Sequence, residues 1–248
     1  MEALCGPESG VSDLCFPKID TFSHSVLRDG ARCVLMAPSS AFDQAVAGLE
    51  WSLVARFGAE KPSLPSFKRF VGSWGLKAEA RISVIHRCSF CLVMTSEADF
   101  IQAWCNAPRS FGRWRFNLSR WSMKAHKGKE DSRAAVWVSF HGLPLPLQNL
   151  AFVRAIGDAF GGFLCAIVRS RRGVELLVPR ICIVLDLSLP PPELLSLKVQ
   201  DEEAWSLAIE YPVYPRFCEA CSLQGHSVQK CRKQRPGKRL IAHSPEHG

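Results

Sequence analysis

Four residues near one end of the chain, Cys218, Cys221, His226 and Cys231, fall at the spacing C-x2-C-x4-H-x4-C. A stretch this short cannot bury enough apolar surface to fold alone, so something other than a core must organise it. Three thiolates and one imidazole complete a tetrahedral Zn²⁺ shell with no open position, so the expected site is structural rather than catalytic. Zinc supplies apparent free energies of roughly 10–16 kcal/mol to finger peptides, so metal and local fold should appear together. Gly225 lets the backbone turn so that His226 comes back toward the ion.

The charge around this motif is uneven. Residues 216–239 hold seven basic residues and one acidic, and residues 109–133 hold eight and two, while the whole chain carries +8. Everything outside the two segments is therefore net negative, the pattern of a polyanion binder. Lys230, Arg232, Lys233, Arg235, Lys238 and Arg239 gather around and after the last cysteine of the motif with no acidic residue among them. In the other segment Arg113 and Arg115 interleave with Trp114 and precede Trp121, the mixture of cations and aromatics that grips a single strand. The expected partner is single-stranded nucleic acid.

Other classes are disfavoured. No apolar run approaches the roughly 18–20 residues that cross a bilayer, so no membrane association is expected. The first residues lack the basic and apolar regions of a secretory signal. The 11 cysteines are an odd number, several in apolar strand-like runs, which suits a reducing compartment, nucleus or cytoplasm. No phosphate loop, nucleophile triad or paired carboxylates can be placed, since Asp186 and Glu210 fall in separate strand patterns, so an enzyme is not expected.

Periodicity divides the chain into an irregular leader over 1–38, an α+β domain over 39–122, a basic linker over 123–133, a second small α+β unit over 134–212, the C-terminal CCHC zinc knuckle over 213–234 and a basic, disordered tail over 235–248. In the first domain a short helix is expected from Ala41 to Trp51 and a strand from Leu53 to Phe57. Phe67, Phe70, Val71 and Trp74 then make a helix face that Gly75 stops. Alternation predicts a strand over Ala78 to Val84 and another over Cys88 to Thr95. Ser96 caps a helix bearing Phe100, Ile101 and Trp104, and Arg113 to Arg120 makes the last strand. The resulting β, α, β, β, α, β order is the ferredoxin-like split βαβ arrangement used by RNA-recognition modules, an RRM-like fold.

The second unit reads as a strand with Val136, Val138 and Phe140 alternating, a helix over Leu147 to Phe160, and strands at Phe163 to Val168, Arg180 to Leu187, Leu195 to Val199 and Trp205 to Tyr211. No internal repeat is evident. Cys88 and Cys91 lie in an alternating strand and are read as buried or half-buried thiols. Trp74, Trp104 and Trp137 are read as core.

Several patches together resemble a family: Leu53-Val-Ala-Arg-Phe57, Ser73-Trp-Gly-Leu76, Arg120-Trp121, Val136-Trp-Val138, Gly142-Leu-Pro-Leu145, and Tyr214-Pro-Arg-Phe-Cys218 through Cys231. Over residues 45–233 the chain resembles the plant domain of unknown function 4283 proteins associated with LINE-type retroelements, in which that domain precedes a CCHC zinc knuckle. The resemblance implies an RNA-recognition-like fold and a retrotransposon-derived, nucleic-acid-binding role, with RNA favoured. Two departures follow. Glu219 stands where retroviral-type knuckles carry an aromatic, which leaves Phe217 and Leu223 as the apolar base contacts. Laid on the RNA-recognition signature, the strand Arg87 to Met94 places Ser89 and Cys91 at the outward stacking positions and Phe90, Leu92 and Met94 inward, so the stacking platform is expected to be lost. Two rival readings are a protein-interaction or self-association module with a structural zinc site, and the leading fragment of a retroelement polyprotein.

Overall fold

The computed structural model describes residues 23–29, 32–58, 60–171, 174–198 and 205–233. It starts with an antiparallel hairpin, β1 (Ser25–Asp29) and β2 (Arg32–Met36), where an irregular leader was expected. The signal for it is Gly30 between two apolar runs, a residue favoured at the first position of a two-residue hairpin loop. Val26, Leu27, Val34, Leu35 and Met36 all remain exposed. The next helix, α1 (Ser39–Ala47), ends earlier than expected, the Gly48 N–H closing onto the Gln44 carbonyl and the Leu49 N–H onto that of Val46.

The first unit comprises β3 (Ser52–Phe57), α2 (Leu64–Gly72), β4 (Arg81–His86), β5 (Ser89–Val93), α3 (Glu97–Asn106), β6 (Ser110–Phe111) and β7 (Trp114–Arg120). Its antiparallel sheet runs β4-β5-β3-β7-β6. The unit's first long strand is central, flanked by its third and last with the second outside, which is the expected split βαβ topology. Ser63 and Ser96 cap the two helices through Ser66 and Asp99 N–H groups, and Gly75 at φ +71° turns the chain out of the first. Leu53, Ala55, Phe57, Phe90, Leu92, Phe116 and Leu118 point to one side and meet Phe67, Phe100 and Trp104 in a buried core, with Phe67 and Phe90 stacked 4.7 Å apart.

The strand expected from Ala78 starts only at Arg81. The N–H groups of Lys77 and Ala78 instead donate to the buried Asp99 carboxylate at 2.7 and 3.2 Å, tying the segment to α3. Val84, expected on the buried face, is 52% exposed on this edge strand.

The second unit comprises β8 (Arg133–Phe140), α4 (Leu150–Phe160), β9 (Phe163–Arg171), β10 (Val174–Asp186), β11 (Leu194–Leu197) and β12 (Trp205–Glu210), in the sheet order β11-β12-β8-β10-β9. The first strand again sits between the third and the last, so the two units share an architecture that no sequence repeat betrays. Where the first unit has α3, the second has Pro190-Pro-Pro192 and the extra edge strand β11. The helix starts at Leu150 rather than Leu147 because Leu145–Leu147 form a 3-10 turn and Asn149 accepts the Phe152 N–H as cap. Val136, Val138 and Phe140 bury into a core with Val153, Ile156, Ile181 and Ile183.

The outer face of this second sheet lies against the first unit. Trp137 Nε1 donates to the Cys105 carbonyl of α3 at 3.0 Å, and Ala135, Leu164 and Val184 pack on the first core. Among the described residues no helix is long and apolar enough to cross a membrane.

Candidate metal centre and nucleic-acid interface

The C-terminal motif folds as a miniature hairpin, β13 (Phe217–Cys218) paired with β14 (Leu223–Gln224), followed by a 3-10 turn over Val228–Lys230. The N–H groups of Cys221 and Ser222 both close onto the Cys218 carbonyl, which forces Ser222 to φ +54° and turns two sulfurs inward. Gly225 stands at φ +98°, the left-handed geometry its lack of Cβ permits, and its N–H donates to the Arg216 carbonyl at 2.7 Å. The ligating atoms of Cys218, Cys221, His226 and Cys231 all lie within 4.8 Å of one another, and the three cysteines are buried.

This geometry suits a tetrahedral ion. Sulfur and nitrogen ligands at Zn–S and Zn–N lengths stand about 3.6 Å apart across a tetrahedral edge. Cys221 Sγ and His226 Nε2 are 3.4 Å apart. Burial pushes the Cys221 thiol up to about 11, whereas a hydrogen bond with His226 brings Cys231 down to about 6. The four residues could hold a metal ion with every protein position used, an arrangement that leaves no site for a reacting ligand.

The turn is fastened to the body through Gln224. Its carbonyl accepts from Arg56 Nη2 at 2.6 Å and Asn117 Nδ2 at 3.0 Å, both on the first sheet. Its N–H donates to Glu130 Oε2 at 2.5 Å, and its side-chain amide donates to the carbonyls of Asp131 and Arg133 at 2.9 and 3.3 Å. Glu130 also holds Arg56 through both oxygens, at 2.8 and 3.2 Å, and its own N–H reaches the Ser222 carbonyl at 2.8 Å. The segment expected as a free basic linker is thus partly structural: Met123–Lys127 form a 3-10 turn, and the Glu130 side chain is 3% exposed. Burying the one carboxylate that matches Arg56 outweighs the solvation its polar sequence suggests.

These contacts cover the first sheet's outer face. Arg56 is paired with Asn117 on one side and Ser89 on the other, and Val54 likewise with Ser119 and Cys91. Ser89, Cys91, Val54 and Ser119 are all buried; Leu49, Ile85 and Trp121 pack over Cys91 and Val93. Phe90, Leu92 and Met94 face the core, as the register predicted. The outward strand positions that carry stacking aromatics in RNA-recognition modules hold Val54, Ser89 and Cys91 here, and the face is occupied by the protein itself.

The structure treats the expected nucleic-acid contacts unequally. Lys230, at the end of the 3-10 turn, and Arg232 and Lys233 after Cys231 are exposed, while Arg235, Lys238 and Arg239 lie outside the described residues. Phe217 is half-buried against the second core, and Leu223 is half-buried beside the thiols. Arg113 sits in the β6–β7 turn, 3.4 Å from Glu60 and 5.1 Å from the Trp114 ring, whereas Arg115 is exposed two residues along β7 from Asn117. Arg56, Asn117, Glu130 and Gln224 escaped the sequence reading. The only hint was a cation inside the apolar run Leu53-Val-Ala-Arg-Phe57.

A second group of sulfurs gathers where the units meet: Cys105 of α3, Cys165 of β9 and Cys182 of β10, within 4.8 Å of one another. It offers three donors rather than four. Hydrogen bonding within the group and burial push Cys105 and Cys182 up, while the same hydrogen bonds bring Cys165 down to about 4.

Comparison with known proteins gives one family match, to "Domain of unknown function (DUF4283)" over residues 46–126, which covers the first unit. No curated protein matches the chain. Among solved structures it is similar to the Sex-lethal RNA recognition domains 1 and 2 from Drosophila melanogaster, at 14% identity, covering 53% of this chain and 84% of that one with a TM-score of 0.27. It is also similar to the N-terminal three RNA binding domains of the yeast splicing factor Prp24, at 9% identity, covering 67% and 69% with a TM-score of 0.23.

Proposed function

We propose that the chain is a non-enzymatic binder of single-stranded nucleic acid, RNA favoured, whose Cys218-Cys221-His226-Cys231 turn is a structural zinc knuckle. The observation that carries the reading is the convergence of these four ligand atoms beside the exposed cations Lys230, Arg232 and Lys233. Zinc would fix the turn, and the turn would fix the direction of those cations relative to the body through Gln224. The match over residues 46–126 supports the DUF4283 part of the resemblance, and the proposed plant, retrotransposon-derived origin rests on that resemblance. Zinc-loaded protein titrated with a fluorescent oligonucleotide tests the function. Neutralising about five phosphates gives a roughly hundredfold loss of affinity between 50 and 200 mM salt. Chelation should abolish the tight component. Affinity indifferent to both salt and chelator refutes the reading.

A second reading, a protein-interaction module with the same zinc site, is favoured by the β1–β2 hairpin, whose apolar side chains are exposed together. A protein complex that survives high salt, with no oligonucleotide affinity, would select it.

A further inference from the structure

We infer that the outer face of the second sheet forms a slot for a nucleotide of the bound strand, with Trp137 and Arg180 as its floor; this rests on the proposed single-strand binding and names a place for it on the body. β8 and β10 are neighbouring central strands, the first and third of the unit's split βαβ. In RNA-recognition modules the outward residues of such a sheet stack the bases. In the first unit the equivalent central strands offer Val54 and Cys91, both buried. In the second, the alternation that sends Val136, Val138, Ile181 and Ile183 into the core leaves Trp137 and Arg180 on the other side.

That side is not fully covered by α3. A cavity of about 520 Å³ remains, lined by Trp137 and Arg180, by Arg109 after α3, by Tyr214 and Arg216 leading into the metal turn, and by Gly225 of the turn itself. No carboxylate is among its described lining residues, so Arg180 and Arg216 line it with no anion to offset them, while the Arg109 guanidinium donates to the Ala107 and Trp104 carbonyls at 2.9 and 2.5 Å. Arg180 Nε and Tyr214 Oη are buried without a hydrogen-bond partner, donors that a phosphate or a base carbonyl would satisfy. The Arg180 guanidinium lies 5.7 Å from the Trp137 ring centre, a cation and an aromatic in the pairing that holds a base and its phosphate together. Val213, 75% exposed at the rim, adds apolar surface at the entrance. Gln224 and Gly225 form one wall, so the slot borders the metal turn itself.

The test uses the full zinc-loaded chain and an oligouridylate carrying photoreactive thiouridine. Crosslinks are expected at Trp137 or within Tyr214–Arg216. Arg180→Gln should weaken binding roughly tenfold and lower the salt slope by about 0.7. Trp137→Leu should lose roughly five- to 150-fold, with Trp137→Phe retaining most of the affinity. Should Trp137→Leu fail to fold, the crosslinks and Arg180→Gln still decide. Crosslinks confined to residues 223–233, with Arg180→Gln binding as tightly as wild type, overturn the slot and leave zinc-dependent binding standing. A wild-type chain with no affinity for the oligonucleotide overturns the parent reading and the slot with it.

Discussion

Replacing Glu130 with alanine should loosen the metal turn on the body without touching any ligand. The substitution removes the acceptor of three hydrogen bonds, two from Arg56 at 2.8 and 3.2 Å and one from the Gln224 N–H at 2.5 Å. Breaking one side of a buried ion pair costs about 3–5 kcal/mol, because the remaining charge is left desolvated and unpaired. The Arg56 side chain is 22% exposed and keeps the Gln224 carbonyl, which places the expected loss at the low end, about 3 kcal/mol. Urea unfolding of zinc-loaded protein, followed by tryptophan fluorescence, measures it. A cycle with Arg56→Ala should give a coupling of roughly 2 kcal/mol or more. Because the carboxylate is buried, that coupling should change little with salt. Zinc affinity should move by less than about tenfold, since all four ligands lie within the turn. A loss below about 0.5 kcal/mol with negligible coupling would mean that the pair behaves as an ordinary surface bridge, and the docking argument would fail.

Purified protein should contain one zinc ion per chain by metal analysis; Cys221→Ser should contain none, whereas Cys105→Ser should keep one, because the three-thiol cluster lacks a fourth donor. Gly225→Ala should destabilise the protein by roughly 1–3 kcal/mol, since alanine resists a φ of +98° and its Cβ would strike the Asn117 amide; adding Asn117→Ala should recover only the collision. Backbone N–H groups of Lys77 and Ala78 hold the Asp99 carboxyl below its ordinary value of 3.8. Its folded value being the lower one, the contribution is complete above the unfolded value and vanishes as pH falls through the folded one. Melting temperatures measured from about pH 5 to about pH 2 should therefore fall less in Asp99→Asn than in wild type. Phe67→Ala, which removes the ring stacked on Phe90, should cost about 3–5 kcal/mol in the same urea assay.

The metal turn was legible because its whole specification lies in one short segment: ligand spacing, Gly225 and the cations after Cys231. The first unit was legible for a related reason, since alternation and helix periodicity are local. Its strand boundaries failed where a distant group intervened, as when Asp99 captured the N–H groups that a ladder at Ala78 would have used. Glu130 could not be read, because nothing local distinguishes a carboxylate that finds Arg56 across the fold from one that stays in water. Trp137 is different. Alternating Val136, Val138 and Phe140 inward already put it outward, and only the habit of assigning tryptophan to the core concealed that. The common topology of the two units was hidden because β11 replaces a helix.

Gln224 gives the metal turn a reach beyond its own length. Its backbone joins the first sheet while its side-chain amide ends on the carbonyls of Asp131 and of Arg133, where the second sheet begins. One residue of a hairpin too small to fold unaided is thus a keystone between two much larger bodies. With zinc bound as proposed, emptying the site would weaken this one tie and leave the angle between the units to the direct contacts of Trp137, Ala135, Leu164 and Val184 with the first unit.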